Sequence, residues 1–595
     1  MIEPRIYRAA FLPALLSLVV AMFSLESPPR ALPQAAPADV LFEGPAALNT
    51  VRSIVERSPD RRHGSPGDEA LAQRVGKVFQ RFRLETSVDR FEEGGSRITN
   101  VVGRRPGLSR RQVVVIAGRD ALSIPDATGS AADTAALIEF GRVLEGRATK
   151  KTIVLASVGG SSTGHAGARR VAEQAGRAGP VDGVLVISNL GARRSRGPLL
   201  VDWSNDATRG SLGLRRTAAT ALRNEVGEDG GGPGSPPAQL ARLAFPVGIG
   251  AQGVLLEDGV TAIRLSASGE LAPPRSDRDL GDVQDERYEE FGRAALRLLF
   301  TLDESARAPE PGPRSYVTLA GRAAPGWALS LLALTLILPV LVTSIDALAR
   351  ARRRGEPVIP WLAWVAAGVV PFVAGLALAE LMVLVGLAKD APPAPLDPSA
   401  APVDGSAVGV LVAVALSIGL AWLLTRSSLL RRARPRRDAA APGAGVAIAL
   451  VLSALAVATW AINPLTALAF VLPLHLWTLA TLTEARARTR LWLALAGLLP
   501  AAVIVMTYAT HLRIGPLEGA WYLFLLVTGH HVGLISALLG CVALGLLASV
   551  VAVVAAHARH GGPEAPHVPG RAKRPPVDRR SVSGPAGPPL ERVRR

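Results

Sequence analysis

Seven stretches in the second half of the chain, 327–348, 359–388, 406–425, 443–462, 464–483, 491–510 and 531–556, are almost wholly apolar. About 20 apolar residues in helical rise cross a ~30 Å hydrocarbon layer, so 327–556 reads as a seven-span membrane domain. An eighth apolar stretch, from Ala9 to Leu25, follows Arg5 and Arg8. It fits a signal anchor over 1–27, or a cleavable signal peptide ending at the small residues near Ala35 and Ala36. Residues 519–556 form one longer apolar stretch, which is divided here into an interfacial segment at "AWYLFLL" (within 519–530) and a single crossing.

Charge sets the orientation. The formal net charge is +17, but the arginines gather in short segments beside the apolar runs, which is the positive-inside pattern and not the footprint of a nucleic-acid binder. "RARRRGE" (350–356), "RSSLLRRARPRRD" (426–438) and "TEARARTR" (483–490) are read as cytoplasmic, and the acidic "KDAPPAPLDPSAAPVDG" (389–405) as facing out. Both termini then lie inside a cell membrane, with a basic, disordered tail over 557–595, and residues 40–310 lie outside. Lysine occurs only at Lys77, Lys150, Lys151, Lys389 and Lys573 against abundant Ala, Arg, Gly and Pro, the bias of a GC-rich bacterial genome. The single cysteine, Cys541, sits in an apolar run, which excludes disulfides and thiol chemistry from the soluble part.

Residues 40–302 have mixed composition. Strand candidates "QVVVIAG" (112–118), "TIVLASV" (152–158), "GVLVIS" (183–188) and "TAIRLS" (261–266) alternate with helical stretches such as "AADTAALIEFGRVLEG" and "HAGARRVAEQAGRAG". That alternation predicts an α/β domain with a mainly parallel, doubly covered sheet. A Pro-rich linker, 303–326, leads into the membrane. Within the domain, Gly160-Ser161-Ser162-Thr163-Gly164 matches the G-x-S-x-G nucleophile elbow between a strand and a helix. A serine nucleophile needs a distant histidine base following it in the chain. Here His63 precedes it and His165 lies on the same turn, so the match reads as a Gly/Ser turn.

The order of "RRHGSPGDEALAQRVGKVF", "ITNVVGRRPG", "QVVVIAGRDALSIP", "ATGSAADTAALIEFGRVL", "KTIVLASVGGSSTGHAGARR" and "LGDVQDERYEEFGRAALRLL" resembles the M28 family of zinc aminopeptidases and related exopeptidases over about 45–302. The resemblance implies their fold. It also places the family's zinc-site motifs on Gly118 and Asp120, Thr128, Ser161 and Ser162, Asn189, and a position near Arg275, and of these only Asp120 keeps the family's residue type. A divalent ion needs anionic or imidazole donors, so the resemblance implies a degenerate site with no cofactor. A metal site moved to Asp120, Asp126, Asp133 and His165 is the alternative; against it, Asp133 reads as an exposed helical residue and His165 as a surface or capping one. Arg275 in the emptied crevice would favour an anionic group.

In the spans, Asn463-Pro464 reads as a turn and His530-His531 as the mouth of the last span, while His475 and Glu380 lie within spans. Glu380 has no obvious partner and is an intramembrane functional candidate. The layout as a whole is similar to the scaffold subunit of the GPI transamidase and to multispanning M28 membrane peptidases. The expected role is a pseudoenzyme in the lipid bilayer that binds or scaffolds a peptide, a lipid-linked ligand, an anionic ligand or a membrane protein partner. The alternative is an active membrane-bound aminopeptidase or hydrolase that uses zinc through unorthodox ligands.

Overall fold

The computed structural model describes residues 3–36, 41–194, 196–232, 234–425, 441–482 and 484–559. The arginines of 426–438 and the basic tail from 560 onward lie outside the described residues.

The four anticipated strands form, as β3 (Ser109–Gly118), β4 (Lys151–Val158), β5 (Val181–Ser188) and β7 (Ala262–Ser266), and they pair in parallel in the order β4-β3-β5-β7. The hairpin β1 (Glu85–Glu93) and β2 (Ser96–Arg105) extends one edge antiparallel to β4, and β6 (Leu200–Val201) runs antiparallel to β7 at the other. The sheet is therefore mixed, with the anticipated parallel strands at its centre and antiparallel strands at both edges. The hairpin turns at Gly94-Gly95, where φ is +58° and +73°, a conformation that glycine adopts without the steric cost a Cβ would bring.

Alternation along the strands fills two cores. Val113, Val115 and Ala117 pack with Phe140, Phe291 and Leu299 on one face, and Val114 and Ile116 with Ala168, Val171 and Leu255 on the other. Each fully buried Leu, Val or Phe contributes about 1.5–3 kcal/mol by leaving water.

Within the stretch read as a Pro-rich linker, 303–326, a hairpin forms from β8 (Tyr316–Leu319) and β9 (Arg322–Pro325). Tyr316 anchors it. Its ring is fully buried beside the Arg209 guanidinium, 4.4 Å from the ring centre, and its hydroxyl donates to Asp202 Oδ2 (3.2 Å) and Gly210 O (3.0 Å). The chain after the first apolar helix is also tied down. Glu26 bridges to Ala323, Leu32 N donates to Thr217 Oγ1 and Ala35 N to Thr301 Oγ1. Ala35, read as part of a cleavage region, is buried.

Among the described residues, eight helices are long and apolar enough to cross a membrane: Pro4–Phe23, Gly326–Arg353, Ile359–Leu384, Gly405–Leu424, Pro442–Ile462, Pro464–Leu482, Ala487–Leu512 and Leu534–Ala558. Pro516–Thr528 is apolar but shorter. The helix Ala487–Leu512 breaks between Ala496 and Leu499. At Gly497 a Cβ would lie 2.2 Å from Trp477 Nε1, so the indole occupies the space of a side chain. Tyr7 packs the first helix onto the bundle. His475 Nε2 donates to Leu336 O (2.9 Å), which leaves Nδ1 to accept from the Tyr7 hydroxyl (2.7 Å).

Candidate functional site: a crevice between the sheet and the membrane helices

The carboxyl ends of β3, β4, β5 and β7 open onto a cavity of about 140 Å³, as the geometry of an open α/β sheet dictates. Gly118, Asp120, Ser161 and Asn189 line it. A Cβ at Gly118 would lie 3.2 Å from Ser161 Oγ, because Ser161 leans in to bond Asp120. Its N–H donates to Asp120 Oδ2 (2.9 Å) and its hydroxyl to Oδ1 (2.8 Å). Burial, and then the charge of Asp68, raise the pKa of Asp120.

The other three sequence candidates stand outside the crevice lining. Thr128 is buried with its hydroxyl donating to Asp277 O (3.0 Å), and Ser162 sits on the turn that follows Ser161. Arg275 lies exposed on the short 3-10 turn Arg275–Asp277, so its expected place inside is a correction. That turn carries Arg278 inward instead. Arg278 is buried, with Nε donating to Pro273 O (2.7 Å) and Nη1 to Ser123 Oγ (2.6 Å). A second guanidinium, which the sequence reading missed, comes from the middle of β7: Arg264 Nη2 donates to Gly269 O (3.2 Å) and Glu270 O (2.8 Å). A lone arginine inside the apolar "TAIRLS" was the available signal.

Asp133 and His165 are corrections as well. Asp133 is buried at the start of the helix Ala132–Val143, where its carboxylate accepts from the N–H groups of Asn189 and Leu190 (both 2.9 Å). The turn of β5 puts Asn189 at φ +54°, which aims those N–H groups at the acid. Burial pushes the Asp133 carboxyl up to about 8, although both hydrogen bonds oppose it. His165 lines the crevice, its Nε2 is buried with no partner among the described residues, and burial lowers its pKa to about 4. Asp126 accepts from Ser130 N (3.0 Å), and burial raises its pKa too.

These side chains do not fit a zinc pair. The four candidates of the moved site do line one crevice, but among the described residues no three of His, Cys, Asp and Glu converge on a point that would hold a metal ion. The oxygens of Asp120 and Asp133 are committed to hydrogen bonds, and two guanidiniums share the space.

The far wall belongs to the membrane half. Glu270 takes both Nη groups of Arg242 (2.9 and 2.8 Å), Ile249 N (3.2 Å), and the Nε2–H of His511 from the helix Leu499–Leu512. Burial alone would raise its pKa, but Arg242 and His511 outweigh this and hold it well below the usual carboxylate range. Leu396 and Asp397 come from the loop that joins Ile359–Leu384 to Gly405–Leu424. Asp397 Oδ2 accepts from Ala272 N (2.8 Å), Tyr522 donates to Leu396 O (2.9 Å), and His531 Nε2 donates to Pro392 O (2.7 Å). Asn463 caps its helix by accepting from Leu465 N (2.9 Å) and also donates to Leu243 O (2.9 Å). Glu380 stands apart in its span. It is half-buried, and its Oε1 is shielded with no hydrogen-bond partner among the described residues.

The chain matches no protein-family model and no curated protein. Among solved structures it is similar to a glutaminyl cyclase of an Acidobacteriales bacterium (19% identity, TM-score 0.35, covering 46% of this chain and 99% of that one). It is also similar to BSAP, a zinc aminopeptidase from Bacillus subtilis (12%, 0.36, 47% and 99%), and to LapB from Legionella pneumophila (16%, 0.36, 49% and 81%).

Proposed function

We propose that the chain is a multi-pass protein of the cell membrane whose globular domain, facing away from the cytoplasm, has the M28 frame without its zinc site and uses the crevice to bind. The domain scaffolds or presents a ligand or partner at the membrane surface and hydrolyses no peptide bond. The commitment of Asp120 carries this reading. It is the one residue of the family's type at the mapped positions, and both its oxygens are engaged by Ser161 (2.9 and 2.8 Å), a serine that stands where the resemblance places a carboxylate. Water activation at a metal needs a carboxylate base beside the ion, and hydroxyls and guanidiniums do not supply one.

Metal analysis of the full-length protein, purified without added metal, tests this together with an aminopeptidase assay. Sub-stoichiometric zinc and no turnover are expected. Stoichiometric zinc with turnover abolished by chelator would overturn the reading in favour of an active membrane-bound hydrolase.

A further inference from the structure

We propose that the crevice is a composite site for a small anionic group, phosphate or carboxylate, gripped by Arg264 and Arg278 of the globular domain and roofed by the 392–397 loop of the membrane half. The proposal rests on the non-catalytic reading of the same crevice and adds the class of ligand.

Charge balance carries it. Three other buried arginines of the domain pair with an acid, Arg119 with Asp68 (2.7 Å), Arg209 with Asp202 (3.1 Å) and Arg242 with Glu270 (2.8 Å), whereas Arg61, away from the crevice lining, bonds the backbone oxygens of Ser58 and Asp126. Arg264 and Arg278 are just as buried, at 5% and 6% exposure, and their hydrogen bonds go to neutral oxygens only. A buried charge with no acid in direct contact is costly, and a bound anion offsets that cost. Arg264 Nε and His165 Nε2 are buried in the same wall, both without a partner among the described residues.

The nearby acids do not take the anion's place. Asp120 is engaged by Ser161, Asp126 by Ser130 and Asp133 by two backbone N–H groups. Burial raises all three pKa values, that of Asp133 to about 8, which lessens the negative charge they set against the guanidiniums. Two further acids line the crevice: Asp397 is tied to Ala272 N and Ser399 N (both 2.8 Å) at the roof, and Glu270 is taken by Arg242 and His511. A liquid water takes about 30 Å³, so the cavity of about 140 Å³ has room for a phosphate-sized group. Its roof is a loop between two candidate membrane spans, which lets the anion arrive either dissolved or on a lipid.

The test uses the full chain in nanodiscs of phosphatidylcholine. In one arm inorganic phosphate or acetate is titrated by calorimetry; in the other, phosphatidic acid is added to the discs and its retention is read by native mass spectrometry. Saturable binding in at least one arm is expected, and the arm that binds identifies the source. Arg264→Gln and Arg278→Gln should each weaken it about tenfold or more, as the loss of a charge-assisted contact implies. The exposed Arg275→Gln should leave it unchanged. Arg278→Gln, which removes side-chain hydrogen bonds to Pro273 O and Ser123 Oγ, keeps the test decisive should Arg264→Gln not fold. No binding in either arm, or parental affinity in both variants, would overturn the proposal. Zinc content, measured separately, tells that failure from a failure of the non-catalytic reading.

Discussion

The Arg242–Glu270–His511 cluster should behave as one energetic unit across the domain junction, and a double-mutant cycle measures it. Arg242 and the Glu270 carboxylate are almost fully buried, at 5% and 1% of their side chains, so solvent screening takes little from the pair. Removing one partner of a buried pair leaves an uncompensated charge and costs about 3–5 kcal/mol. Arg242→Met should therefore strip that much protection from segment 239–256 in hydrogen exchange followed by mass spectrometry, and Glu270→Gln should do nearly as much. The double variant, with no orphaned charge, should fall short of the sum by more than ~1 kcal/mol. Distant independent sites add to within about 0.3–0.5 kcal/mol, so additivity at that level would refute the coupling. The pH dependence has a definite sign. The folded pKa of Glu270 lies below its unfolded value of about 4.3. Its contribution is thus fully present above that value and is lost as pH falls below it towards the folded pKa. Protection in Glu270→Gln should lack this acid-side loss.

Two further perturbations test the packing. In Gly167→Ala the new Cβ would lie 2.2 Å from Gly159 O and 2.6 Å from Asn100 Oδ1, so the midpoint of thermal unfolding should fall by an amount equivalent to about 1–3 kcal/mol; an unchanged midpoint would show that the strand-to-helix approach is looser than described. In Glu380→Leu, a carboxylate whose Oε1 has no partner among the described residues is replaced by an apolar group that membrane insertion favours by a few kcal/mol, so stability in detergent should hold or rise, and a clear loss would reveal a functional or structural partner.

Long-range patterning was readable, and local geometry was not. The apolar runs name their own length, so the helices of the membrane half fall within a few residues of the spans read from sequence, and the four parallel strands announce themselves as β-branched runs. β1 escaped because "ETSVDRFEE" is polar and largely exposed, although Gly94-Gly95 marked its turn. The 303–326 stretch looked like a linker because proline and glycine hide that Tyr316 buries its ring. In the crevice, residue types were legible and directions were not. Whether Arg275 or Arg278 points inward is decided by one 3-10 turn, and the burial of Asp133 follows from the two backbone N–H groups that the turn at Asn189 presents, groups that no sequence pattern displays.

The tie between the first helix and the rest sets an order of events during synthesis. The helix Pro4–Phe23 meets Thr335 through Ser17 (2.6 Å) and His475 through Tyr7, while the strap behind it reaches Thr217 and Thr301. At about 5–20 residues per second, the about 300 residues that separate the first helix from its partner Gly326–Arg353 take roughly 15–60 s to emerge. Through that interval the helix has neither Thr335 nor His475 to meet, and the contact of its strap with Thr301 forms only once the helix ending at Glu304 has been made.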